Sequence, residues 1–141
     1  MNLVIIDTDI FSEIMKAKDN NVISNSMKYI REHKKFTISS MTILEIVKGF
    51  RKIGNEGKLK NFISRLNHVN VLNLDSVSAE ISGKIISDLE KIGQPIGLAD
   101  SIIAGIAIAS NLPVVTGNTV HYNRIIKLGY DLKIENWRIN N

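Results

Sequence analysis

Short apolar runs that alternate with helical periodicity constrain this chain most. Leu3 to Ile6 is an uninterrupted apolar run closed by Asp7, which reads as a buried strand. Phe36 to Ile38, Val69 to Leu74, Pro113 to Thr116 and Tyr130 to Ile134 give four further strand expectations. Helices are expected between them: Ile10 to Lys16, about Val22 to His33, and Ser39 or Ser40 to about Lys52. Leu59, Phe62, Ile63 and Leu66 mark another helix by their i, i+3, i+4, i+7 spacing. Asp75 is placed to cap a long helix carrying Val77, Ile81, Ile85, Leu89 and Ile92, ended by Gly93 and Pro95. Leu98 to Ser110 is apolar nearly all round, the pattern of a helix buried on every side, and a brief helix follows at Thr119 to Ile125. Strands separated by helices throughout imply a parallel sheet covered on both faces. With no repeat, low-complexity segment or linker, residues 1–141 form one domain.

The chain has no cysteine, which excludes disulfide scaffolds, thiolate-held metals and thiol nucleophiles. The opening Met1-Asn-Leu-Val-Ile-Ile-Asp7 lacks a basic segment, so no signal peptide is expected there. The longest apolar stretch, Ile102 to Ala109, is too short to span a bilayer, so no membrane association and a cytoplasmic location are expected. The net charge of +4 is unevenly spread. Arg31 to Arg65 holds nine basic and three acidic residues, a net +6 that leaves −2 for the rest. A basic flank suits a polyanionic partner, although a solvated helix surface has the same composition.

Ligands of open parallel sheets meet the carboxyl ends of the strands, and that rule selects four polar residues. Asp7 follows the first strand, and Glu45 lies early in the helix entered from the second. Asp100 lies in the first turn of the buried helix, and Asn118 just after Val114-Val115-Thr116. Each also has a local reading. Asp7 and Asn118 can cap the helices that follow them, Glu45 can complete a capping box with Thr42, and Asp100 can favour a helix dipole. Glu45, however, is expected to point with Thr42, Lys48 and Lys52 away from the apolar face of Ile43, Ile46, Val47 and Phe50. Clustered carboxylates repel unless a cation screens them, and hard oxygen ligands suit Mg²⁺ or Mn²⁺, which can activate a water beside a phosphodiester.

Four blocks of the chain together resemble the PIN domain, in the form found in VapC-type toxins. They are Asp7-Thr8-Asp9-Ile10 after the apolar run, Ser39-Ser40-Met-Thr42-Ile-Leu-Glu45-Ile with Gly49, and Pro95-Ile-Gly97-Leu-Ala-Asp100-Ser-Ile-Ile-Ala104. The fourth is Val114-Val-Thr116-Gly-Asn118-Thr-Val-His121-Tyr122 with Arg124-Ile125 and the closing Ile134-Glu-Asn-Trp137. The resemblance implies a three-layer α/β/α sandwich with a central parallel sheet. It implies a Mg²⁺- or Mn²⁺-dependent endoribonuclease, the toxin of a type II toxin–antitoxin pair, homodimeric and held inactive by a small antitoxin. Carried over by position, Asp7, Glu45 and Asp100 bind metal and catalyse, with Asn118 in the fourth catalytic position, where many members have Asp. Thr8 and Thr116 support them.

The substrate implied is RNA, with a structured RNA such as tRNA favoured. Lys48, Arg51 and Lys52, just beyond Glu45, and Arg124 in the fourth block are the candidates for gripping its backbone. His121 is expected to pack or to touch substrate, and Trp137 and Tyr130 to be core or dimer-packing aromatics. The alternative is a catalytically attenuated PIN domain that binds RNA or protein without cutting, a reading to which Asn118 lends itself because an amide adds no charge. A nucleotide-binding or phosphotransfer fold lacks a Gly-rich phosphate loop here.

Overall fold

The computed structural model describes residues 1–139. The elements run β1 (Ile5–Ile6), α1 (Thr8–Lys16), α2 (Asn20–His33), β2 (Thr37–Ser39), α3 (Ser40–Lys52) and α4 (Glu56–Ser64). After a 3-10 turn at Leu66–His68 come β3 (Asn70–Leu72), α5 (Ser76–Lys91), α6 (Leu98–Ser110), β4 (Val114–Val115), α7 (Thr119–Lys127) and β5 (Ile134–Glu135). The ends of the helices are set by their caps. Asp19, Ser39 and Asn55 accept from backbone N–H groups of the first turns of α2, α3 and α4, and Asp75 forms a capping box with Ser78. No described helix is long and apolar enough to cross a membrane.

Every strand pairing is parallel. β4 lies between β1 and β5, with Ile5 opposite Val114 and Ile6 opposite Val115, while β2 pairs with β3 as a separate ladder beside β1. The seam has a physical cause. Ile5 and Asp7 direct their N–H groups at Pro113 and Val115, so the backbone groups of Val4 face the other way. There the hydroxyl of the fully buried Tyr29 takes the Val4 N–H at 3.3 Å and reaches its carbonyl at 3.4 Å.

Alternation along β1 divides the interior into the two halves of an α/β/α sandwich. Val4 and Ile6 face a cluster with Ile10, Phe11, Val22, Tyr29, Ile38, Ile46, Val115 and Trp137. Ile5 faces the opposite cluster, with Ile85, Leu89, Ile103, Ile106, Val114 and Ile125. Trp137 is a core aromatic, 5.6 Å from Tyr29 between ring centroids, as the sequence led one to expect.

Several expectations are corrected. The last strand is Ile134–Glu135, and Tyr130 lies outside it, its hydroxyl donating to Asp88 at 2.6 Å. Ile63 is exposed although it shares the apolar spacing of Leu59 and Phe62. Thr42 is fully buried and does not share a wet face with Glu45, because its hydroxyl is satisfied by other hydroxyls inside the protein.

α6 is the central buried helix, and it lies close along α5 because small residues meet there. A Cβ on Gly105 would stand 1.9 Å from the buried Ser82 Oγ and 2.7 Å from the Ser78 carbonyl oxygen. Backbone cannot yield as a flexible side chain can, so Gly105→Ala is expected to cost about 1–3 kcal/mol. Urea unfolding should show a lowered midpoint with an unchanged slope; an unchanged midpoint would mean that the two helices are not held this closely.

Candidate active site

Asp7 is the N-cap of α1 and leaves the sheet at the carboxyl end of β1, only 2% exposed. Its Oδ1 accepts the Thr8 N–H at 2.8 Å, and its Oδ2 accepts the hydroxyl of Thr116 at 2.8 Å, from the end of the neighbouring β4. Thr116 in turn accepts the Asn118 N–H at 2.9 Å, so one hydroxyl ties the carboxylate to the turn into α7. Burial pushes the Asp7 carboxyl up to about 7; the charges of Asp9 and Asp100 add to the rise, and the bonds from Thr116 and Thr8 oppose it. The charges acting on it are thus both negative.

Glu45 reaches the site through hydroxyls. Thr8 donates to Glu45 Oε1 at 2.6 Å, so it has no second proton for Thr42, whose Oγ1 lies 2.9 Å away. Thr42 is therefore the donor to Thr8, and Ser39 Oγ donates to Thr42 at 3.4 Å. The chain of donation runs one way, Ser39 to Thr42 to Thr8 to Glu45. The capping-box reading of Glu45 is replaced by this arrangement, since Ser39 caps α3 by accepting from the Thr42 N–H.

Asp100 sits in the first turn of α6, and its charge is felt at Asp7. One oxygen, Oδ2, lies 2.8 Å from His121 Nδ1 in the first turn of α7. Tyr122, next along α7, is fully buried, and its hydroxyl has no hydrogen-bond partner among the described residues. Burial and the charges of Asp7 and Asp100 push it well above its ordinary value, so it remains a neutral phenol.

Asn118 is exposed and joins the network through its backbone N–H, with no side-chain cap bond to α7. Lys48 and Lys52 are exposed three and seven residues beyond Glu45 on α3. Arg51 is paired with Glu56 at 2.9 Å, and Arg124 donates to the Pro95 carbonyl at 3.0 Å, tying α7 to the loop before α6.

Three features were not read from the sequence as parts of the site: the Tyr122 hydroxyl, the His121–Asp100 contact and a buttress around Asp9. Asp9 Oδ2 accepts the Gly117 N–H at 2.9 Å and lies 3.5 Å from Arg138, which also binds Glu13. A Cβ on Gly117 would collide with the guanidinium end of Arg138 and stand 2.7 Å from Asp9 Oδ2, so any larger residue there has to displace these two side chains. Gly117 was the available signal, lying between Thr116 and Asn118 in the fourth block.

The donors gathered here are carboxylate and hydroxyl oxygens with an excess of negative charge, a set that suits a hard divalent cation. Among the described residues no three His, Asp or Glu side chains form a ready metal cage. The charge of Asp100 is felt at Asp7, and Glu45 is linked through the hydroxyl of Thr8, the residue after Asp7.

The PIN domain family matches residues 4–126. The chain is 35% identical over 124 residues to the tRNA(fMet)-specific endonuclease VapC of Salmonella typhimurium, covering 82% of this chain and 89% of the relative. It is 34% identical over 107 residues to the protein of the same name from Shigella flexneri, covering 73% and 76%. Among solved structures it resembles the DNA-bound VapBC of Salmonella typhimurium with a TM-score of 0.81 at 28% identity, covering 97% of this chain and 99% of that one. The chain therefore belongs to the PIN-domain family, among its VapC members.

Proposed function

We propose that the chain is a metal-dependent endoribonuclease acting as the toxin of a type II toxin–antitoxin pair, with tRNA as its substrate class. The observation that carries this is the convergence of Asp7, Glu45 and Asp100 at one sheet edge, in a chain whose relatives are named tRNA endonucleases. The VapBC complexes among its structural neighbours support a small antitoxin as partner. A homodimer and a cytoplasmic location complete the reading.

Asp7 and Asp100, with Glu45, are the residues to hold Mg²⁺ or Mn²⁺. The fit rests on a buried carboxylate whose charged neighbours are negative, because such a group is costly until a cation is added. Bound there, the metal supplies a water of lowered pKa and stabilises negative charge on the phosphate. The protein's own part is positioning. Thr116 and the Thr8 N–H fix the two oxygens of Asp7, and the one-way hydroxyl chain ending at Thr8 holds Oε1 of Glu45. Lys48 and Lys52, exposed on the helix of Glu45, are placed to hold the RNA backbone.

Purified protein is expected to cut total tRNA into discrete fragments with Mg²⁺ or Mn²⁺, and to stop in EDTA or on Asp100→Asn. Absence of cleavage by folded, antitoxin-free protein across RNA classes would favour the binding-only PIN domain, and cleavage surviving both controls would remove Asp100 from the site.

Thr8→Val breaks the link to Glu45, whereas Thr8→Ser keeps a hydroxyl. The valine variant is expected to lose on the order of tenfold in kcat with KM little changed, and serine to restore most of it. Equal activity of the two would mean that the hydroxyl does not position Glu45.

Burial pushes folded Asp7 up to about 7 from the ordinary 3.8 of an aspartate, so the metal-free fold holds this proton more tightly than the unfolded chain does. Its contribution to stability is therefore greatest in acid, falls as pH rises from about 4 to about 7, and levels off above, a swing of roughly 4 kcal/mol at full size. In EDTA, Asp7→Asn should be more stable than the wild type by about 2–4 kcal/mol at pH 8, and the gap should close near pH 4. Mn²⁺ should raise the melting temperature of the wild type but not of the variant. A gap independent of pH would show that the carboxylate is already compensated.

A further inference from the structure

His121 and Asp100 lie 21 residues apart, at the first turns of α7 and α6, and meet with Nδ1 at 2.8 Å from Oδ2. The Asp100 side chain is only 14% exposed, while the imidazole is 43% exposed. A carboxylate is acceptor-only, so the shared proton sits on Nδ1 of the histidine. Neutral and protonated imidazole can both carry that proton, and the contact does not depend on the charge of the ring. The other oxygen of Asp100, Oδ1, takes no hydrogen bond from the described residues.

The terminal torsion of an aspartate is broad and two-fold, so a carboxylate held at neither oxygen can swing about its last bond. Asp7 is held at both oxygens and Glu45 at one. For Asp100 the holding group is His121. A surface ion pair joins two exposed, mobile chains, as Arg51 and Glu56 do at 65% and 62% exposure. His121–Asp100 is different, because its acid is largely buried and belongs to the carboxylate cluster.

We propose that His121 is the positioning residue of Asp100, its Nδ1–H fixing Oδ2 and leaving Oδ1 free to meet the divalent cation. This rests on the metal site of the proposed function and assigns His121 a task that neither the carboxylates nor Asn118 performs. Metal-ligating groups are commonly oriented by such an outer hydrogen bond, and its loss weakens metal binding as well as turnover.

Mn²⁺ binding to the purified chain by calorimetry tests it, beside tRNA cleavage, with His121→Ala and His121→Asn. Asparagine places its amide N–H close to where Nδ1–H stands and has nothing in place of Nε2. Alanine should weaken Mn²⁺ binding on the order of 10–100-fold, while asparagine should stay within about threefold of the wild type in binding and in cleavage. Circular dichroism and melting temperature check that both variants are folded. Unchanged or tighter Mn²⁺ binding by the alanine variant would overturn the proposal, leaving His121 as a counter-ion that competes with metal. Asparagine that binds Mn²⁺ normally but no longer cuts would also overturn it, because Nε2 would then be the working atom. A wild type that binds no Mn²⁺ would fail the metal site itself, visible in that arm alone, and the task of His121 with it.

Discussion

A carboxylate buried to 2% exposure at the end of β1 organises the rest of this molecule. Taking a charged group out of water is expensive, and proteins tolerate it where fixed donors stand in for the lost solvent. Asp7 has two such donors, one from its own helix and one from β4. Neither cancels its charge, and Asp9 and Asp100 raise the cost further. Stability is given up here, because neither donor supplies the positive charge that would offset the burial.

The fold makes that burial possible by giving β1 neighbours on both sides and both faces. Ile5 and Asp7 send their N–H groups to β4, and Tyr29 takes the groups of Val4 on the other side. The two faces are filled by separate clusters, with Val4 and Ile6 on one and Ile5 on the other. α6 can carry Asp100 to the same edge because its remaining surface is apolar and because Gly105 lets α5 come close. A helix with one charged residue at its first turn and little else to solvate has few other places to lie.

What was legible in the sequence follows the range of the forces involved. The bounds of Leu98–Ser110 came from local pattern and hold in the structure, whereas the apolar run Leu3 to Ile6 is strand only at Ile5–Ile6, with Leu3 exposed. Strand ends were less legible, since ladders of two or three residues are fixed by their partners and not by their own composition. Thr42 was misplaced because hydropathy counts a hydroxyl as wet, whereas this one is buried among Ser39 and Thr8. The bonds from Asp9 to Gly117 and from Asp100 to His121 cross 108 and 21 residues, and no periodicity carries them.

The acids differ in the kind of partner that holds them. Glu13 and Asp9 share the single guanidinium of Arg138, and Glu56 pairs with Arg51, so each of these acids meets a positive charge directly. Asp7 and Glu45 are instead held by backbone N–H and hydroxyl groups, which orient an oxygen without consuming its charge. The arginine is one step removed, where it anchors Asp9 against the Gly117 turn and so steadies the residues that follow Thr116. An arginine set directly on Asp7 would make the fold more stable and would occupy the place of a cation. Neutral donors in contact with the acids and cationic ones behind them let a rigid scaffold carry an unspent negative charge.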